Sequence, residues 1–193
     1  RVEVPESLLN RQLRLDFFKS QFTVEIASQV KRISLCGNDG DPIYAKDMID
    51  IVRWFKRANP DVQFLVITNG SYKTPEWWQE LAKVLDHNDE IHWSIDGWDQ
   101  NSNEQYRVNC DWESIITGIE TFRQYNTSTY RTLATVLFKF NENNLKDIQR
   151  LVLTHEFDAW QVTKSTKFNN VGDELRPSDE NVSDNHRFQR QTT

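Results

Sequence analysis

Short runs rich in β-branched and aromatic residues alternate along the chain with longer stretches whose apolar positions recur at helical spacing. The runs are Ile33–Gly37, Phe64–Thr68, Ile91–Ile95, Leu133–Phe140 and Ala159–Thr163, and their first residues lie 31, 27, 42 and 26 positions apart. A strand with its crossover helix takes about 30 residues, so this period predicts successive parallel strands. Lys46–Arg57 reads as a helix, with Ile49, Val52 and Phe55 on one face and Met48 and Ile51 beside them. Asn59-Pro60 ends it, because the residue before a proline avoids the α region. Thr74-Pro75-Glu76 opens the next helix with a cap, a proline at the first position and an acid in the first turn. Trp78, Leu81, Ala82 and Leu85 form its apolar face. Trp112–Tyr125, with Ile115, Ile116, Ile119 and Phe122, and Asn144–His155, with Leu145, Ile148, Leu151 and Val152, complete the series. Pro5–Phe18 is predicted as a further helix.

Between Val171 and Thr193 only Val171, Leu175, Val182 and Phe188 are apolar. That is too little to anchor a packed element, so residues 1–170 are expected to form the domain and 171–193 a loop or loose tail. Five strands in consecutive βα order imply an α/β fold, either a barrel or a doubly wound sheet. Both place their chemistry at the carboxyl ends of the strands. Those ends are unusually polar: Gly37-Asn38-Asp39-Gly40-Asp41-Pro42, Asn69-Gly70-Ser71, Asp96-Gly97-Trp98-Asp99, Asn141-Glu142-Asn143-Asn144 and Lys164-Ser165-Thr166. A connecting turn needs only a turn residue and a cap, so one functional rim is expected.

Composition narrows the function. Lys and Arg number 23 against 29 Asp and Glu, a net charge of −6. That argues against generic nucleic-acid binding, which needs a basic footprint. No apolar run approaches the roughly 20 residues of a membrane span. No secretory leader opens the chain, and the first residue is Arg1, with Met48 the single methionine, so the chain reads as a piece of a longer one. The two cysteines, Cys36 and Cys110, show no CxxC spacing. They read as small buried hydrophobes in a reducing cytosol rather than as a local zinc or iron–sulfur site. The four histidines have no ligand spacing, and neither a Ser/His/Asp arrangement nor a P-loop is present.

The order CGNDGDPI (Cys36–Ile43), ITNG (Ile67–Gly70), SIDG with a later YR (Ser94–Gly97, Tyr106-Arg107) and FKFNENN (Phe138–Asn144) resembles radical S-adenosylmethionine (SAM) enzymes, nearest to peptide-modifying maturases and uncharacterised phage or microbial members. The likeness runs from about Arg32 to Lys164. It implies a partial (β/α)6 TIM-like barrel of parallel strands, with the five runs as strands two to six. The first strand and its CxxxCxxC cluster loop are missing, and that motif is expected within about 30 residues before Arg1, one βα unit. The resemblance also implies a reaction. A [4Fe–4S] cluster reduces and cleaves SAM, and the resulting 5′-deoxyadenosyl radical takes hydrogen from a substrate. The electron donor is a flavodoxin or ferredoxin, and the compartment is the cytoplasm. The fragment itself is expected to be inactive for lack of the cluster thiolates.

Residue by residue, Gly40-Asp41-Pro42 resembles the family's Gly-Glu-Pro motif at the SAM amine. Backbone carbonyls and the Asp41 carboxylate accept from an ammonium there, or Asp41 braces the loop. Thr68 and Asn69 are implied near the methionine part of SAM or the barrel floor, and Ser94 and Asp96 near its ribose. Asn141 would point toward SAM. Arg107 could hold a carboxylate of SAM or substrate. Gln161 and Lys164 would face the barrel or substrate. Two other readings stay open: a phosphate- or metal-using α/β barrel enzyme, and a non-catalytic or degenerate barrel that only binds.

Overall fold

The computed structural model describes residues 12, 14–37, 40–168 and 171–183. The chain runs α1 (Leu15–Gln21), α2 (Val24–Ala27), β1 (Arg32–Leu35), α3 (Met48–Ala58), β2 (Gln63–Thr68), α4 (Pro75–Ala82), β3 (Glu90–Ser94), α5 (Gln100–Glu104), α6 (Trp112–Tyr125), β4 (Tyr130–Val136), α7 (Leu145–Thr154) and β5 (Ala159–Thr163). All strand pairs are parallel, and the order is β1-β2-β3-β4-β5. A doubly wound sheet reverses its strand order midway. This one never reverses, so right-handed crossovers carry every helix to the same face. The result is an open α/β sheet that forms the wall of a partial TIM-like barrel.

Strand alternation separates the two faces. Phe64, Val66, Ile91, Trp93 and Leu133 turn toward the helices and are buried. Trp93 is the centre: its ring lies 5.7 Å from Trp78 of α4, 5.6 Å from Phe122 of α6 and 5.8 Å from Phe157. Phe55 of α3 packs on Phe64 at 6.4 Å and receives Phe18 and Phe22 from the N-terminal helices. Each such aromatic contributes on the order of 1.5–3 kcal/mol by leaving water. The opposite, helix-free face carries Ser34, Ile67, His92, Ser94, Thr132, Ala134, Gln161 and Thr163 in register.

The caps follow the sequence. Thr74 accepts from the Trp77 N–H at the start of α4, and Asp111 accepts from Ser114 at the start of α6. Two boundaries differ. The fourth strand begins at Tyr130 and ends at Val136, earlier than the apolar run Leu133–Phe140, because Asn141 Oδ1 takes the Phe138 N–H at 2.8 Å and turns the chain. The first described helix is Leu15–Gln21 rather than Pro5–Phe18; residues 5–11 and 13 lie outside the described residues. Phe22 ends α1 in an extended conformation, and Thr23 caps α2 by accepting from Ile26.

Residues 171–183 form a loop with one 3-10 turn, Asp179–Asn181. Polar bonds tie this loop to the domain, with Lys139 N–H donating to Leu175 O and Ser165 bridging Val182, and Pro177 is buried. Residues 184–193, with His186 and Phe188, lie outside the described residues.

Candidate functional site at the carboxyl rim

Parallel strands aligned in register bring their carboxyl ends to one edge, and the loops of that edge hold each other. Asp41, just before the 3-10 turn Pro42–Tyr44, ties the loop after β1 to the end of β2. Its Oδ2 accepts from Thr68 Oγ1 at 2.9 Å and from the Asn69 N–H at 2.7 Å, and its Oδ1 accepts from the Ile43 N–H at 3.1 Å. Burial pushes the Asp41 carboxyl up; the Asn69, Ile43 and Thr68 donors and the nearby Arg107 guanidinium pull the other way. Both Asp41 oxygens are thus engaged in bracing the loop. Gly40 beside it is exposed, with open space where a side chain would stand.

A second hub joins β3 to β4. Asp96 is 0% exposed. Its Oδ2 accepts from Arg107 Nε at 2.7 Å, and its Oδ1 accepts from the Val136 N–H at 2.7 Å. Asn141 is also wholly buried; its amide donates to Asp96 O at 2.8 Å and Val136 O at 2.9 Å, while its oxygen takes the Phe138 N–H. Burial pushes the Asp96 carboxyl up, and Arg107 and the Val136 N–H oppose that push. The side chains of Asp96 and Asn141, which the resemblance aims at SAM, are therefore turned into the protein and present no surface of their own. What they set is the path of the two strand ends.

Arg107 connects the two hubs: it pairs with Asp96 and lies near enough to Asp41 to draw its carboxyl down. Its guanidinium lies 5.1 Å from the centre of the Tyr106 ring, which packs on Phe138 at 4.2 Å. The structure thus brings Asp41, Asn69, Asp96, Arg107 and Asn141 to one edge. Lys164 donates to the Glu180 carbonyl.

A row of side chains crosses the helix-free face at this edge. Ser94 pairs in register with Ala134, and Ala134 with Gln161. Asn69 directly follows the Thr68–Trp93 pair, so its backbone is level with Ser94. Ser94 and Gln161 show no side-chain partner among the described residues. Asn69 Oδ1 is buried without a donor. Buried polar atoms are usually paired, so this acceptor is available to a donor from outside the chain.

Four residues take structural roles at the rim that the sequence reading does not assign. Asn103, fully buried, accepts the Asp96 and Gly97 N–H groups at 3.0 and 3.1 Å. Ser102 and Asp99 form a capping box that starts α5, and Asp99-x-x-Ser102 is its signature. Glu142 ties down residues 178–181. Gly97 admits no side chain, since a Cβ there would lie 2.2 Å from the Asn103 nitrogen.

With this geometry in place, the comparisons with known proteins define the class. Residues 12–152 match the model of the Radical SAM superfamily, and the chain belongs to that superfamily. Its fold is similar to Streptococcus suis SuiB bound to S-adenosylmethionine (TM-score 0.58, 14% identity, 76% of this chain and 32% of that one). It is also similar to native anSMEcpe with bound AdoMet (0.56, 13%, 76% and 43%) and to archaeal TYW1 (0.52, 13%, 69% and 43%). The chain thus spans less than half the length of each. No curated protein sequence matches it.

The donor set discriminates between the two groups the superfamily implies. The row of Asn69, Ser94 and Gln161 offers neutral acceptors and donors suited to SAM. Among the described residues, no group of three His, Cys, Asp or Glu side chains could hold a metal, and Cys36 and Cys110 are both free. The described residues do not fit an iron–sulfur cluster.

Proposed function

We propose that this chain is the SAM-holding part of a radical SAM enzyme whose cluster ligands belong to another part of the longer protein. The empty acceptor Asn69 Oδ1, level with Ser94 on the helix-free face, carries this reading. In it, Asn69 accepts from the SAM ammonium, as do the backbone carbonyls around Gly40 and Pro42. Ser94 meets the ribose hydroxyls, and Gln161, across Ala134, faces the ligand or substrate. Asp41, Asp96 and Asn141 act as positioning residues, with Arg107 joining their two hubs and keeping an N–H edge for a carboxylate. Lys164 holds the 171–183 loop. A [4Fe–4S] cluster held by another part of the longer protein would supply the electron that breaks the C5′–S bond of SAM, releasing methionine, and the bound SAM would thereby supply hydrogen-abstraction chemistry. A flavodoxin or ferredoxin donor and a cytoplasmic setting belong to the same proposal. No helix among the described residues is long and apolar enough to cross a membrane.

The test is SAM titration by calorimetry on the anaerobically reconstituted longer protein. Asn69→Ala and Ser94→Ala are each expected to weaken binding about five- to ten-fold, the worth of one hydrogen bond. Unchanged affinity in both variants would remove the row from the SAM site. Absence of SAM binding in the reconstituted wild type would leave the chain a degenerate, binding-only relative.

A further inference from the structure

Two adjacent residues of the turn after β4 reach in opposite directions. Asn141 reaches inward to the Asp96 and Val136 carbonyls. Glu142 reaches outward, and a single oxygen, Oε2, accepts from Ser178 N–H at 3.0 Å, Ser178 Oγ at 2.7 Å and Asn181 Nδ2 at 2.9 Å. Burial would raise the Glu142 carboxyl, but the Asn181 and Ser178 donors bring it below its ordinary range, as they must if they hold the ionised form.

The segment these donors belong to is otherwise unevenly anchored: Pro177 is buried and Leu175 and Val182 are half-buried. Val171 is 84% exposed. Polar ties include Lys139 N–H to Leu175 O, Lys164 Nζ to Glu180 O, and Ser183 N–H to Ser165 O. A hollow of about 380 Å3 is lined by Lys139 and Glu142 from the turn and by Arg176 and Pro177 from the segment, among others. Exposed polar bonds are individually weak, and stronger when one partner is charged. Elements held in this way open well below the global unfolding free energy.

We propose that residues 171–183 are a strap latched over the β4–α7 end of the rim by Glu142. Because Asn141 and Glu142 share one turn, the state of the Asp96–Arg107 hub and the closure of the strap are coupled. When the hub is intact, the turn presents Glu142 to Ser178 and Asn181. When the hub is disturbed, the carboxylate moves off its donors and the strap opens. This inference stands on contacts within the chain and is independent of SAM.

The experiment uses the whole chain, with hydrogen exchange read by mass spectrometry and cleavage by a glutamate-specific protease after Glu174 and Glu180. Glu142→Ala is expected to raise strap exchange and cleavage about ten-fold or more, while β2 and β3 stay as protected as in the wild type. Glu142→Gln, which keeps a neutral acceptor, falls between. Strap rates within two-fold of wild type in Glu142→Ala would overturn the latch. Asn141→Ala tests the coupling and is expected to loosen the strap as well. Where that variant fails to fold, Arg107→Gln, at the accessible end of the hub, decides the point. Strap rates unchanged in a folded hub variant would overturn the coupling.

Discussion

The side-chain amide of Asn141 donates to the main-chain carbonyl of Asp96 at 2.8 Å, and so closes the seam between β3 and β4 beyond the last paired residues. The Asp96 carboxylate returns the connection to β4 through the Val136 N–H. Two buried side chains, 45 residues apart in sequence, therefore complete a ladder that the backbone has left. The alignment of the rim depends on them.

Removing this carboxylate is expected to be severe. Asp96→Ala leaves Arg107 without its partner and the Val136 N–H without an acceptor, a loss of about 3–5 kcal/mol. Arg107 is 23% exposed and can turn to water, which places the effect at the lower end of that range. Urea unfolding would show it as a lower midpoint with an unchanged slope. A midpoint within experimental error of wild type would contradict the hub.

Gly118→Ala sets two effects against each other. Alanine inside a helix is favoured over glycine by about 1 kcal/mol. The new methyl at position 118, however, would lie 2.4 Å from Trp78 Nε1 in the buried core, and overpacking of that kind costs about 1–3 kcal/mol. Net destabilisation is expected. Pairing the change with Trp78→Phe removes the clashing nitrogen, so a double-mutant cycle should show a favourable interaction. Simple additivity would mean that the indole moves aside freely.

Acid is expected to weaken the fold through two histidines. Burial lowers the His92 imidazole from its ordinary 6.5, although Glu90 draws it back. Burial likewise lowers His155, with Glu120 opposing and Arg123 adding to the effect. His155 ends α7, where the helix dipole favours a cation, yet desolvation wins. A depressed folded value means that the unfolded chain binds more protons once the pH falls below 6.5. The neutral rings therefore hold their full stability above that pH, and it declines as the pH falls toward the folded values. Denaturation curves between pH 7.5 and about 5, compared with His92→Gln and His155→Gln, should show a flatter slope in the variants. Equal slopes would exclude these two groups.

Asn69 is expected to behave in the opposite way from Asp96. Its backbone N–H holds the loop through Asp41, while its side-chain oxygen has no donor. Asn69→Ala therefore leaves thermal stability within about 0.5 kcal/mol of wild type, or slightly raises it. A drop comparable with that of Asp96→Ala would show that the side chain serves the fold instead of a ligand.

The strands and helices were legible because burial on one face writes a period into each element. Phe64, Val66, Ile91 and Trp93 alternate, Met48, Ile51, Val52 and Phe55 recur at helical spacing, and Thr74 caps its helix as its type predicts. The rim was legible as well, since Asp, Asn and Gly accumulate at successive strand ends. The direction in which each rim side chain points was not. Asp41 could equally have met a ligand or Thr68 and Asn69, and nothing in the spacing of Asp96 and Asn141 tells that the Asn141 amide reaches the Asp96 main-chain carbonyl. A local pattern records which face of an element leaves water. It carries no record of which donor, brought from 27 or 45 positions away, reaches a given acceptor first. That choice is made by how the strand ends align once the sheet has formed. The same alignment left Asn69 Oδ1 without a partner and gave Glu142 three, and no composition or spacing in the chain distinguishes the two outcomes.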